Sequence, residues 1–172
     1  MTEPSLFDLA EDARRAHNYH AARAYLVEAV SLLRKTGNAV DIAHSLTRLG
    51  QIERDLGRPN MAEPLYAEAI DLYRGQQDAS PLASAVRHLG DIYRDLNNLD
   101  EAEPHYFEAL AIYRGMSEPV PLDIANVLRP IALLLELQGR PTDAKPYWQD
   151  ALNLYASVGI WAGVDECRLH LA

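Results

Sequence analysis

The chain has 172 residues, of which 48% are hydrophobic and 24% charged, enough for one compact domain or one short repeat array. A formal charge of -9 and a sequence isoelectric point near 5.0 argue against broad binding to nucleic acid or an anionic membrane, both of which favour a basic surface. The one cysteine, Cys167, excludes an internal disulfide and fits a reducing compartment.

The first residues, Met1-Thr2-Glu3-Pro4, carry neither the basic segment nor the apolar stretch of a secretory signal. The longest apolar run, Ile131 to Leu135, is too short to span a bilayer. The expectation is a soluble, cytoplasmic protein. Lysine occurs only at Lys35 and Lys145 while arginine is abundant, which points to GC-rich, bacterial coding.

Taken in chain order, the predicted elements are helical hairpins. A degenerate first unit, roughly 3–37, is marked by Leu6, Leu9, Ala10, Ala22, Glu28, Ala29 and Leu32. The second, roughly 41–77, has Ile42, Leu46, Leu49, Ile52 and Leu56 at helical spacing, with Glu53 as a polar intruder in the stripe. Sliding the sequence by forty residues lays Leu49-Gly50-x-Ile52-x-Arg54-Asp55-Leu56 onto Leu89-Gly90-x-Ile92-x-Arg94-Asp95-Leu96. The same shift lays Ala62-Glu63-Pro64-x-Tyr66-x-Glu68-Ala69 onto Ala102-Glu103-Pro104-x-Tyr106-x-Glu108-Ala109. About sixteen of forty positions agree, so the third unit, roughly 81–117, is a repeat of the second. A fourth, roughly 121–157, follows at a spacing of forty-two through Gly139, Ala144, Pro146, Trp148, Ala151, Leu154 and Tyr155. The last stretch, 160–172, overlays the start of another first helix, with Cys167 in register with Ala43, Ala83 and Ala125, and is expected to cap the array.

Gly57, Asn97 and Gly139 sit where each first helix must stop in a left-handed residue. Asn60, Asp100 and Thr142 then read as N-caps, which puts Pro64, Pro104 and Pro146 within the first turn, where a missing N–H costs nothing. Small residues at Gly50, Gly90 and Ala132 should let paired helices approach, with Tyr66, Tyr106 and Trp148 filling the space beside them. Pro130 falls well inside the fourth first helix, where it should bend the axis.

These motifs resemble the tetratricopeptide repeat, and the Ala-Glu-Pro-Leu-Tyr-x-Glu-Ala stretch with its 40 to 42 residue period looks most like the kinesin-light-chain variety. The resemblance implies an all-α, right-handed superhelical solenoid of four hairpins plus a C-terminal capping helix, forming a single domain over 1–172. It also implies a concave groove, lined by first helices, that holds segments of partner proteins.

Carried over position by position, the groove would present Phe7, Glu11 and Arg14, then His44, Thr47, Arg48, Gln51 and Arg54. The third unit adds Ser84, Arg87, His88, Asp91 and Arg94, and the fourth Asn126, Arg129, Leu133, Glu136 and Leu137. Two readings of the arginines stand side by side. They form a basic strip for an acidic segment or a C-terminal carboxylate, or they pair with Asp55, Asp91 and Asp95 in a solvated ion network. Leu133 and Leu137 either receive a partner's apolar side chain or are covered by the C-terminal helix or another protomer. Thr47, Gln51 and His88 depart from the lysine-asparagine-arginine set of carboxylate-clamp repeats, which sets aside a chaperone-tail ligand.

The functional expectation is a non-catalytic scaffold that binds a protein or peptide, without cofactor or metal. The alternative is a homo-oligomerisation unit joined through Ile160-Trp161, or a regulatory domain of a larger assembly. His17-Asn18-Tyr19-His20 lies at an inter-helix turn with no second ligand cluster, and His44, His88 and Cys167 have no partners arranged as a catalytic site demands.

Overall fold

The computed structural model describes residues 5–36, 39–76 and 79–172. The opening Met1-Thr2-Glu3-Pro4 and the expected repeat edges at 3, 37 and 77 lie outside the described residues. Every element among the described residues is a helix. The chain divides into two compact units, Met1–Gln77 and Asp78–Ala172.

Unit 1 holds α1 (Leu6–Arg15), α2 (Tyr19–Thr36), α3 (Ala39–Asp55) and α4 (Pro59–Tyr73), each packed on the next in chain order. Its core gathers Ala10, Ala22, Leu26, Leu49 and Ile52. Unit 2 holds α5 (Ser80–Asp95), α6 (Leu99–Arg114), α7 (Pro121–Leu137), α8 (Pro141–Ser157) and α9 (Trp161–Leu171), again packed in succession, with α5 also touching α7. The packing of successive helices follows from the short links, three residues within each hairpin and six between α6 and α7, which fold one helix back on its neighbour.

Those links share one geometry. Asn97 at φ 58°, Gly57 at 71° and Gly139 at 74° adopt the left-handed conformation that ends a helix cheaply. The residue after each donates its backbone N–H to a carbonyl five residues back: Arg58 to Glu53, Asn98 to Tyr93 and Arg140 to Leu135, each at 2.8 Å. His17, at φ 56°, fills the same place in the first hairpin, with Asn18 N–H on Ala13 O at 2.8 Å. The degenerate unit therefore keeps the turn although its side chain has changed.

The helix starts correct the expected capping. The second helices begin at Pro59, Leu99 and Pro141, so the cap positions are Arg58, Asn98 and Arg140, and none of these makes a side-chain cap hydrogen bond. Asn60, Asp100 and Thr142 already lie inside their helices. The left-handed residue feeds the chain straight into the next helix, leaving no room for an extended cap at those positions. In consequence Pro64, Pro104 and Pro146 sit a full turn inside, where each removes one helical hydrogen bond. All three are exposed, as are Asn60, Asp100 and Thr142 four residues before them, so water can take the freed carbonyls.

The hairpins close on glycine. A Cβ built on Gly50 would lie 2.6 Å from the Tyr66 ring, and one on Gly90 would lie 2.9 Å from the Tyr106 ring. Both rings are buried, so neither can swing aside freely. Replacing Gly90 with valine should therefore lower the unfolding free energy by about 2 kcal/mol through overpacking, more than the few tenths gained in helix propensity. Urea denaturation checks this, and an unchanged midpoint would contradict the close approach. Ala132 and Trp148 stand at the same sixteen-residue interval, and both are fully buried.

Candidate functional site

The polar residues of the first helices are held by the repeat itself. In three successive hairpins a tyrosine of the second helix reaches back twenty-nine residues to the first. Tyr73 OH lies 2.8 Å from His44 Nδ1, Tyr155 OH donates to Asn126 Oδ1 at 2.9 Å, and Tyr113 is within hydrogen-bonding reach of Ser84 and Arg87. Each tyrosine ring is buried, so its hydroxyl needs that partner. His44, Ser84 and Asn126 thus use one edge to close their own hairpins.

The rest of the unit 1 set is tied down at the surface. Thr47 Oγ1 donates to the His44 carbonyl at 2.9 Å, Gln51 Nε2 to Asp55 Oδ1 at 2.8 Å, and the Arg48 guanidinium stands 5.4 Å above the Phe7 ring. Arg14 Nε lies 3.6 Å from Asp55 and Nη1 3.7 Å from Glu11. Arg54 is half-buried at the end of α3. Glu53, the polar intruder, is 2% exposed, and Arg23 Nε donates to its Oε1 at 2.6 Å. Sequence reading did not foresee Arg23, which comes from the preceding hairpin.

In unit 2 the charged set converges on Asp91, which is 7% exposed. Tyr106 OH donates to Oδ1 at 2.8 Å, Arg87 Nη1 to Oδ2 at 3.2 Å, His88 Nδ1 lies 3.3 Å from Oδ2, and Arg94 Nη1 stands 3.7 Å from Oδ1. Arg87 Nη2 also faces His88 Nε2 at 2.8 Å. Because the guanidinium can only donate, that nitrogen accepts and the His88 proton sits on Nδ1, pointing at Asp91. Burial alone would raise the Asp91 carboxyl, but the His88 hydrogen bond and the charges of Arg87 and Arg94 outweigh it and hold the group well below the usual carboxylate range. Tyr106 is pushed the other way, by burial first and then by the Asp91 charge, so it stays a donor.

Beside this network is a pocket of about 450 Å³ lined by Arg94, Arg129, Leu133, Glu136, Leu137 and His170. It draws on α5, α7 and α9. Leu137 is 61% exposed, whereas Leu133 is half-buried. The cations at its edge are partly engaged: Arg129 Nε donates to Glu166 Oε2 at 2.7 Å and Arg94 Nη2 to Asp95 Oδ1 at 3.4 Å. Glu136 accepts from Trp148 Nε1 at 2.8 Å, and its second oxygen meets His170 Nδ1 at 2.9 Å. His170 in turn stacks on the Trp148 indole, with ring centroids 4.1 Å apart. An apolar floor with cations at the rim suits an apolar side chain next to a carboxylate.

A family model described as MalT-like TPR region matches residues 6–171. The chain belongs to this TPR family. Solved structures agree on the fold. BtubC (BKLC) from P. vanneervenii is 16% identical with a TM-score of 0.68, the match covering 94% of this chain and 75% of that one. A putative kinesin light chain from Podosopora anserina, with nearly identical TPR-like repeats, is 15% identical at a TM-score of 0.73, covering 89% of this chain and 74% of that one. A signal transduction ATPase of the STAND class from Pyrococcus horikoshii, described as having a tetratricopeptide repeat sensor, is 16% identical at 0.84, covering 98% of this chain and 27% of that one. No curated protein sequence matches the chain.

Of the TPR groove positions expected from sequence, the pocket unites Arg94, Arg129 and Leu133 with Glu136 and Leu137. Arg87, His88 and Asp91 gather in the neighbouring ion network, while Ser84 and Asn126 lie in hairpin closures. Two further α9 residues, Glu166 and His170, join the site although neither is among the groove positions expected from the sequence. The register of α9 with earlier first helices was the signal that could have found them. Cys167 is buried on the same helix, and burial pushes its thiol up to about 11, which keeps it protonated at neutral pH. Among the described residues no cluster of three or more His, Cys, Asp or Glu side chains could hold a metal, and no helix is long and apolar enough to cross a membrane.

Proposed function

We propose that the chain is a non-catalytic protein-interaction module whose unit 2 pocket takes an apolar side chain of a partner segment, flanked by carboxylates that reach Arg94 and Arg129. The observation that carries this reading is the convergence of α5, α7 and α9 on one apolar-floored pocket with two guanidinium groups at its rim. Glu166 supplies an internal precedent, a carboxylate seated on Arg129 at 2.7 Å. An acidic, bacterial, cytoplasmic protein fits this role, because a local pair of arginines selects anionic segments without attracting nucleic acid at large. The STAND ATPase whose repeats are described as a sensor is consistent with service as the sensing part of a larger assembly.

A peptide array varying acidity and one apolar anchor tests the reading at physiological salt. Wild-type protein should enrich segments in which an apolar residue neighbours Asp or Glu, and Leu137→Glu should lose about tenfold in affinity for them, the cost of a like charge at the rim. Leu137 is exposed enough that this change leaves the helix intact. Equal capture of neutral and acidic segments would overturn the acidic reading. Glu166→Gln gives a second check. With the internal carboxylate weakened, binding of the same segments should tighten by a few-fold, and isothermal titration reads it directly.

A further inference from the structure

The outer face of α9 lies apart from the pocket and is built differently. Its inner face behaves like those of α3, α5 and α7: Cys167 is 0% exposed, as are Ala43, Ala83 and Ala125 in the same register. Two residues further on, Ser45, Ala85 and Val127 are 0%, 1% and 0% exposed, sealed by neighbouring helices. The corresponding residue of α9 is Leu169, and it is 79% exposed. Trp161, at 64%, lies on the same stripe two turns earlier, with Asp165 midway between them, the i, i+4, i+8 spacing of one helix face. Val158 and Ile160 extend the apolar surface at the Trp161 end, at 39% and 40%.

We infer that this stripe pairs with the same stripe of a second copy of the chain, the two α9 helices running antiparallel about a two-fold axis at Asp165. The stripe is self-complementary. Trp161 and Leu169 stand at equal distances on either side of Asp165, so the two-fold lays each Trp161 on the partner's Leu169, a large ring against a branched aliphatic chain. The charges match as well. Arg168 Nη1 lies 3.4 Å from Asp165 within the helix, and in the antiparallel pair each Arg168 also comes beside the partner's Asp165, offsetting the approach of the two carboxylates. A foreign helix with an unbroken apolar stripe would leave Asp165 and Arg168 facing hydrocarbon, which disfavours it. Trp161 and Leu169 on the helix, with Val158 and Ile160 just before it, cover about half of the roughly 800 Å² per partner typical of a stable interface. The dimer is therefore weak, forming and dissociating across the micromolar range.

Sedimentation equilibrium from low to high micromolar concentration tests this. The weight-average mass of the wild type should climb from one copy towards two. Leu169→Glu should raise the dimer dissociation constant at least about tenfold, with circular dichroism confirming that an exposed substitution leaves helicity intact. Asp165→Arg alone should weaken pairing, and Asp165→Arg with Arg168→Asp should restore it, because the swap preserves complementarity across a two-fold axis. A mass of one copy at every concentration, or a dimer indifferent to Leu169→Glu, would overturn the inference. Neither outcome bears on peptide capture by the pocket, which is measured separately.

Discussion

Replacing Trp148 with alanine is expected to cost unit 2 about 3–5 kcal/mol, the range for truncating a buried aromatic to a methyl group. The indole is 0% exposed, among the largest fully buried side chains, so its removal leaves a void in the packed interior. More than packing is lost. The Nε1–H bond to Glu136 disappears, and with it the surface on which His170 stacks, so α9 loses a hold on the helix beneath the pocket. Trp148→Tyr should be far milder, since Tyr66 and Tyr106 occupy the same place in the two preceding hairpins. Urea denaturation followed by circular dichroism measures both variants. A loss below about 1 kcal/mol for the alanine variant would mean that the fourth hairpin collapses around the gap.

The second large effect concerns Asp91. Its removal strands two guanidinium groups, an imidazole and the Tyr106 hydroxyl that all converge on one carboxylate. Removing one partner of a buried ion pair costs about 3–5 kcal/mol. The side chains of Arg87 and Arg94 are 19% and 22% exposed and can turn partly to water, so Asp91→Ala should fall near 3 kcal/mol. The pH dependence has a definite sign. The carboxyl is held below its usual range in the folded protein, so on acidification the unfolded chain takes up the proton first. The network's contribution is then complete above a pH of about 4 and is lost as the pH falls towards the lower folded value. Asp91→Asn should accordingly narrow its stability gap from the wild type as acid is added. Parallel decline of the two proteins with falling pH would show that Asp91 is not held in this way.

Much of the fold was legible because repeats report packing twice. Gly50 with Tyr66 and Gly90 with Tyr106 stand sixteen residues apart in both copies, and the structure brings each pair into contact. The left-handed stops at Gly57, Asn97 and Gly139 were readable for the same reason, as only certain residues enter that conformation cheaply. His17 shows the limit: its turn is set by the hairpin around it, against its own propensity. The caps misled because Asn60 and Asp100 have good capping chemistry but sit after helices that had already started at Pro59 and Leu99. The candidate site was less legible, because groove positions are recognised by place, whereas their chemistry depends on partners distant in sequence. His44 and Asn126 looked free to meet a ligand until Tyr73 and Tyr155 came back twenty-nine residues later to bond them. Glu166 and His170 are the converse, surface residues of a terminal helix that the fold carries to Arg129 and Glu136.

On this reading a partner segment enters the pocket between Arg94, Arg129, Leu133 and Leu137. The most direct test is a titration of leucine-methyl-labelled protein with the best acidic segment from the array, followed by nuclear magnetic resonance. Saturable shifts should centre on Leu133 and Leu137 and be abolished by Leu137→Glu, with Leu46 and Leu49 of unit 1 unmoved. Shifts centred on Leu46 and Leu49, where unit 1 has an apolar cleft beside Val27 and Val30, with Leu133 and Leu137 silent, would contradict this reading.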